Sequence, residues 1–539
     1  MLHKTAERWY YPVHYPENKC KLNTQRQPGL YLLRLCIQIP AASGGMFYAV
    51  KQLMNNILFS HSYFLRFDPK QWKLGQPYAP LGTLFAAALM RENGYTVAVH
   101  DTMFAHGPDE VMPSINKLRP RFFVIYDDGF NYLTKMCLTN MREAAFRMSK
   151  LAKEQGCTVI VSSSDSTDHY EQYLDEGADY ILLGEAEMTL LELVNTLNKG
   201  EKDVSRIQGL AFKQDDNIVK TPRRTVIKEL DTLPLPAWDL IDIEPYRQSW
   251  IKNTGYFSMN MGTTRGCPFK CNWCAKPIYG NRYNSRSPQN VIKELLLLKK
   301  NYGPDHIWFC DDIFGLKPGW VNEFADLVEK QGIRFRFKMQ GRADLLLQEN
   351  YIRDLARAGC ENIWMGAESG SQKILDAMEK GTSIEQIYEA TRLLKKNGIK
   401  PSFFIQFGYP GETNEDIQKT IGMIRELLPF EIGISVSYPL PGTVFYERVK
   451  AQLKEKSNWT DSDELQLMFS NTYPPAFYKK LHRYVHHEFR KQQGWAVLRK
   501  GLKKPFSLSI KDYKKIAGTF TTLPKILIDR IGLKQYTHG

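Results

Sequence analysis

No run of 18 apolar residues occurs in the 539-residue chain, so no segment reads as a helix that spans a membrane. Cysteine is scarce: nine are spread over the whole length without regular pairing. That excludes a disulfide-stapled secreted scaffold and points to a reducing, cytoplasmic setting. The apolar stretch 30–39 is broken by Arg34 and Gln38 and starts too late for a secretory signal. No second C-x-x-C accompanies the one present, which argues against structural zinc held by two paired knuckles. Acidic residues are few at the ends. Between Pro475 and Gly539 there are 15 Lys/Arg against 3 Asp/Glu, and between Met1 and Leu53 there are 7 against 2. The net charge of +14 therefore belongs to the ends, and the body between them is close to neutral. A basic tail suits acidic lipid heads or RNA. Its plainer reading is a solvated helical cap.

What the chain does have is one dense loop, Gly262-Thr-Thr-Arg-Gly-Cys-Pro-Phe-Lys-Cys-Asn-Trp-Cys274. Cys267, Cys271 and Cys274 follow a C-x3-C-x2-C spacing that brings three thiolates together on one turn of chain. Thiolates favour soft metals and iron–sulfur clusters. Three of them on a cubane leave one iron open for another ligand. Residues 256–261 read as a strand before the loop, and 288–300 read as a helix after it.

Around that loop the text alternates strand and helix. Strands are expected at 56–60, 96–101, 122–127, 158–162 and 180–183, with helices at 81–93, 110–118, 136–155 and 188–198. This is the pattern of a Rossmann-like, doubly wound parallel sheet, whose ligands sit beyond the carboxyl ends of the strands. A short hairpin at 210–220 and a proline-fixed stretch at 233–238 then form a connector. From 257 onward the alternation repeats about six times, with strands at 306–310, 336–340, 362–365, 402–407 and 432–437, which describes a barrel or a (β/α)6 partial TIM barrel. The expected division is an extension without periodic structure over 1–53, a Rossmann-like domain over 54–199, a linker over 200–255, the partial barrel over 256–450 and a basic helical region over 451–539.

The cysteine loop, with Trp273 just before its last cysteine, resembles the signature of the radical S-adenosylmethionine (SAM) enzymes. Further stretches add to the resemblance in the family's order: Asp311-Asp312 after the second barrel strand, Gly366-Ala-Glu-Ser-Gly370 after the fourth and Phe407-Gly-Tyr-Pro-Gly-Glu412 after the fifth. The resemblance implies a 4Fe-4S cluster on Cys267, Cys271 and Cys274, with SAM contacted by Trp273, Asp311, Asp312, Glu368, Ser369, Gly408, Pro410 and Gly411. Arg342, after the third strand, is a further candidate, since a guanidinium recognises a carboxylate bidentately. Each has a plain alternative: loop carboxylates that cap the next element, a surface salt bridge, a helix N-cap, a Pro-Gly turn.

Gly184-Glu-Ala-Glu187 after the fifth strand resembles the end of the cobalamin-binding domain found before many radical SAM domains. The resemblance places cobalamin against Asp101, Asp127, Ser162, Ser163, Ser164, Gly184 and Glu185. His106 lies three places too late for the D-x-H-x-x-G spacing of an axial ligand, so cobalamin is expected without a protein histidine below it.

The function so implied is methylation of an unactivated carbon. SAM would first methylate reduced cobalamin, and a second SAM would supply the radical that abstracts hydrogen. The alternative is a radical oxidoreductase or cyclase without methyl transfer, as in the anaerobic tetrapyrrole cyclases. A tRNA methylthiotransferase needs a second three-cysteine cluster in the N-terminal domain, where only Cys137 and Cys157 occur. A non-catalytic binding protein is argued against by the intact triplet. Expected partners are a small-molecule, lipid or tetrapyrrole-like substrate, an electron donor such as flavodoxin or ferredoxin, and an anionic membrane at the basic tail; nucleic acid is the weaker expectation.

Because 1–53 lacks periodicity, a chain that begins at Met54 is expected to fold and keep its iron. Iron content and melting of that truncated chain check this; loss of either would make the extension structural.

Overall fold

The computed structural model describes residues 56–539 apart from 131, 137, 275, 277, 454–457, 504–507 and 538–539. The expected extension over 1–53 and Cys137 lie outside the described residues. Strands β1 (Asn56–Ser60), β2 (Thr96–His100), β3 (Phe122–Tyr126), β4 (Thr158–Ser162) and β5 (Tyr180–Leu182) pair in parallel in the order 2-1-3-4-5. The central strand β3 is Phe-Phe-Val-Ile-Tyr and is buried throughout, as a strand covered on both faces must be. Helix α1 (Leu81–Glu92) is apolar nearly all round because it is covered twice. Its Ala86, Ala87 and Met90 join the core of the first sheet, and its Leu81, Leu84 and Phe85 join the core of the barrel. After β4 the short helix α2 (Ser164–Asp168) starts at once.

The hairpin expected inside the connector does more than link. Strands β6 (Leu210–Gln214) and β7 (Asn217–Lys220) add antiparallel to β5 and make the sheet seven-stranded. Their turn places Asp215 at φ 48° and Asp216 at φ 63°, the left-handed pair that a tight hairpin requires.

The second sheet is wholly parallel and runs in chain order: β8 (Ser258–Met261), β11 (His306–Phe309), β12 (Arg336–Gly341), β13 (Cys360–Glu368), β14 (Lys400–Phe407) and β15 (Ile432–Val436). This is the expected six-stranded partial barrel. Two-residue strands β9 (Thr264–Arg265) and β10 (Asn284–Ser285) form a separate antiparallel ribbon. Helix α3 (Asn414–Leu427) follows β14 with a Thr413 capping box.

Several buried polar contacts weld the two sheets into one body. Asn260 in β8 exchanges two hydrogen bonds of 2.9 Å with the backbone of Ala79. The Trp250 indole donates to the Pro77 carbonyl at 2.7 Å. The arm after the barrel returns to the first sheet, where Thr139 N–H donates to the Trp459 carbonyl at 2.8 Å and Arg142 donates to Asn458 at 2.8 Å.

The tail is a helical hairpin, α4 (Pro475–Lys503) and α5 (Ile510–Thr537). It runs antiparallel: Gly494 meets Thr519, His487 meets Asp529 at 2.8 Å, and Lys480 lies over the Tyr536 ring. Gly494 has no room for a side chain because Thr519 stands against it, which brings the two helices close. Among the described residues no helix is long and apolar enough to cross a membrane.

Candidate active site at the facing strand ends

The cysteine loop is fixed first at its root. Gly262 ends β8 where a side chain would strike the Phe130 ring. Gly266 sits at φ 80°, with the Arg282 carbonyl where a Cβ would stand. Both therefore need glycine. Thr264 and Arg265 pair with Ser285 and Asn284, so residues 266–283 leave and return through one narrow neck. Asp311, after β11, clamps that neck. It accepts the Thr263 N–H at 2.6 Å, the Thr263 hydroxyl at 2.6 Å and the Thr264 N–H at 2.8 Å. Burial pushes its carboxyl up to about 6, against the pull of those donors.

The middle of the loop is held by Asn272, whose every polar group is engaged. Its N–H donates to Met378 O at 3.1 Å and its carbonyl accepts from Phe445 N–H at 3.0 Å. Its side chain donates to Ala377 O at 2.8 Å and accepts from the Tyr409 hydroxyl at 2.8 Å. The loop Gly408–Gly411, positions expected beside SAM, is thereby braced against the cysteines through Tyr409. Gly408 N–H donates to buried Glu412 at 2.6 Å, and burial lifts that carboxyl to about 8.

Cys267, Cys271 and Cys274 form no disulfide. Burial pushes Cys274 up to about 12 and raises Cys267 as well. Thiols of this kind bind metal by losing their protons to it. Among the described residues no three Cys, His, Asp or Glu side chains close around one ion-sized point. The set of three thiolates fits an iron–sulfur cluster, whereas structural zinc takes four closed ligands.

Three of the sequence candidates gather at that loop around a residue the sequence did not mark, Lys380. Lys380 bonds Glu368 at 2.8 Å, lies 5.9 Å from the Trp273 ring and gives its carbonyl to Arg342 at 2.8 Å. Arg342 stacks over Phe269 at 3.7 Å, donates to the Cys271 sulfur at 3.7 Å and pairs with Asp344 at 3.0 Å. Glu368 holds φ 58°, a left-handed conformation uncommon for a side-chain-bearing residue and often found at binding loops. The Trp273 indole N–H is buried without a partner. Lys380 has no spacing signal in the sequence that could have found it.

Other candidates stand elsewhere. Ser369 shares its hydroxyl with Thr420 of α3 at 3.1 Å and with Ser371 N–H. Asp312 pairs with Lys135 at 2.7 Å, across the gap between the two sheets. On the first sheet, Asp101 accepts from His61 at 2.9 Å and from the Tyr246 hydroxyl at 2.7 Å. Asp127 accepts from Ser62 N–H at 2.6 Å and its hydroxyl at 2.8 Å. Ser162 ends β4, Ser163 caps α2 in a box with Ser166, and Ser164 opens that helix. His106 is exposed on its loop. At the same edge two buried carboxylate oxygens lack partners, Asp128 Oδ2 and Glu187 Oε2, and burial lifts Asp128 to about 6.

The two strand edges are locked together by Arg265. Fully buried, it donates to Glu185 and, at 2.7 Å, to Glu187, which flank the β5 turn at Gly184. Phe85, Phe130 and Tyr279 surround its guanidinium at 5.5, 5.8 and 5.3 Å.

Residues 261–424 match the Radical SAM superfamily. The chain carries a radical SAM domain. An uncharacterized methyltransferase of Pyrococcus horikoshii is 28% identical over 394 residues, covering 72% of this chain and 82% of that protein. The anaerobic magnesium-protoporphyrin IX monomethyl ester cyclase of Rubrivivax gelatinosus is 25% identical, over 69% of this chain and 66% of the cyclase. Among solved structures, the radical S-adenosylmethionine methyltransferase TsrM of Kitasatospora setae, with cobalamin and a [4Fe-4S] cluster bound, superposes at a TM-score of 0.62. It is 18% identical over 74% of this chain and 75% of that one, a likeness of fold. The matched stretch begins at the last residue of β8 and contains the whole cysteine loop.

Removing the Arg265 cation leaves two glutamates buried against each other. Arg265→Met is expected to cost about 3 kcal/mol, read by chemical denaturation. Adding Glu185→Gln and Glu187→Gln to it should restore much of that loss; if the triple variant is no more stable, the pair is not what holds the edges. Glu412 gives a pH test. Its folded carboxyl keeps a proton that the unfolded chain releases, so the fold loses stability as pH rises from about 4.5 to about 8. Glu412→Gln, which still accepts from Gly408, should match the parent near pH 4 and exceed it by roughly 5 kcal/mol above pH 8. A difference that does not change with pH would contradict the burial argument.

Proposed function

We propose that the protein is a radical SAM enzyme that methylates an unactivated carbon with the help of cobalamin. The observation that carries the reading is the neck-bound loop of three cysteines, set where the strand ends of a partial barrel face those of a 2-1-3-4-5 sheet. Cys267, Cys271 and Cys274 hold a 4Fe-4S cluster. Trp273, Arg342 and Glu368 are the candidates best placed for SAM, since they meet around Lys380 beside Cys271. The orphaned Trp273 N–H is a donor that awaits an acceptor there. On the opposite edge the two unpartnered oxygens of Asp128 and Glu187 await donors, and the amide arms of a corrin ring carry them. When bound, cluster and SAM supply one-electron chemistry on an adenosyl group, and cobalamin supplies a methyl carrier.

This chain's own side chains then bind, orient and exclude water. Asp311 and Asn272 fix the height of the thiols, Arg265 fixes the distance between the two edges, and Phe85, Phe130 and Tyr279 keep solvent out of the joint. The similarity to the Rubrivivax cyclase supports a second reading, a radical oxidation or ring closure on a tetrapyrrole-like substrate. An external reductant such as flavodoxin or ferredoxin serves either reading, because an iron–sulfur cluster must be reduced before it gives up an electron.

Anaerobically reconstituted protein should bind about four irons and cleave SAM to 5′-deoxyadenosine. Cys271→Ala should abolish that cleavage while the melting curve stays, because a loop ligand is not a core residue. Retention of 5′-deoxyadenosine formation in the triple alanine variant would sink the reading. Cobalamin should bind with a visible spectrum unchanged by His106→Ala. SAM cleavage without cobalamin binding would instead favour the oxidoreductase reading.

A further inference from the structure

We propose that helix α5 is a docking face for an anionic lipid surface. One side of α5 is already committed: Thr519, Thr522, Ile526 and Asp529 are buried, and Gly494 and His487 of α4 pack against Thr519 and Asp529. Ile510, Tyr513, Ala517, Phe520, Pro524, Leu527 and Ile531 recur at alternating steps of three and four residues, which aligns them along one face of a helix. That face is not buried. Ile510 is 78% exposed, Phe520 54%, Leu527 61% and Ile531 55%, and Ile528 beside them is also exposed. Trp495 of α4 extends the patch, with its ring edge-on to Phe520 at 6.2 Å. A monomeric protein rarely leaves so long an apolar stripe in water unless something covers it.

Charge indicates what covers it. Lys514, Lys515, Lys525, Arg530 and Lys534 are all exposed along the same helix. Its two acids are engaged elsewhere: Asp512 accepts from Ser509 N–H at 2.9 Å, and Asp529 is buried against His487 at 2.8 Å. An apolar stripe flanked by cations is the pattern of a helix lying in a membrane interface, with aliphatic groups in the acyl boundary and cations at acidic heads. A second copy of the chain would bring one set of cations against another. Nucleic acid would satisfy the charge but leave a mostly aliphatic stripe unused, since bases stack on aromatic faces. No helix of the described chain is able to cross the bilayer, so the contact is peripheral.

The test is flotation of the full-length protein with vesicles of phosphatidylglycerol and phosphatidylcholine in equal parts, compared with vesicles of phosphatidylcholine alone. Binding should be at least about tenfold stronger to the anionic vesicles and should fall as salt is raised. Phe520→Glu with Leu527→Glu should lower it at least about tenfold, with helix content, melting and SAM cleavage unchanged. Lys525→Glu with Arg530→Glu should weaken binding to anionic vesicles only. The proposal is overturned by unchanged vesicle binding in the first pair, by equal binding to both vesicle types, or by a dimer in solution that the first pair disperses. Binding to RNA without binding to vesicles overturns it equally.

Discussion

Everything in the site hangs on how the neck of the cysteine loop is gripped. A loop of 18 residues between β9 and β10 has little internal structure, and on its own it would place its thiols anywhere. Asp311 removes that freedom by accepting three hydrogen bonds from two consecutive threonines. A carboxylate so buried is costly, and its raised pKa reports the cost. The donors around it offset enough to keep it in place. Arg265, two residues before Cys267, is held from the other sheet by Glu185 and Glu187. The height of the cysteines above the barrel and their distance from the first sheet are thus set by two short-range contacts.

The polar groups near the loop divide into those already satisfied and those left open, and the division is informative. Asp101, Asp127, Ser163 and Ser369 are bonded within the protein and hold loops in shape. Trp273 N–H, Asp128 Oδ2 and Glu187 Oε2 are buried and have no partner. A buried group left unsatisfied costs more than a hydrogen bond gains, so such atoms persist mainly where a ligand completes them. They fall on two sides of the loop, one by the barrel and one by the first sheet, as two separate ligands would require.

The tail follows a different logic. Its hairpin is held by Gly494, which lets Thr519 approach, and by Asp529, which collects His487 and Arg483. These contacts use one face of α5. Lys514, Lys515, Lys525, Arg530 and Lys534 are exposed along the same helix, in a tail that is far more basic than the near-neutral body before it.

The sequence alone marked the three loop cysteines, placed the strands along the chain and determined the class of fold. Three cysteines on one short turn can serve few other purposes, and alternating apolar segments between helical text leave a parallel sheet as the only way to bury both faces. It also marked Arg342, because it follows a strand of the barrel, and Trp273 and Glu368, because the stretches that carry them resemble those of the radical SAM enzymes. It did not mark Lys380, which joins those three, or Asn272 as the loop's anchor. Nor did it show that the 210–220 hairpin extends the first sheet, or that Arg265 meets Glu185 and Glu187. Each of these is a contact between segments tens of residues apart or more, and a single residue in a loop carries no periodicity to betray its partner. The exposed face of α5 was hidden for a related reason: an apolar stripe on a helix ordinarily packs inward, and only the packing of Thr519, Thr522 and Asp529 against α4 decided that this one faces outward.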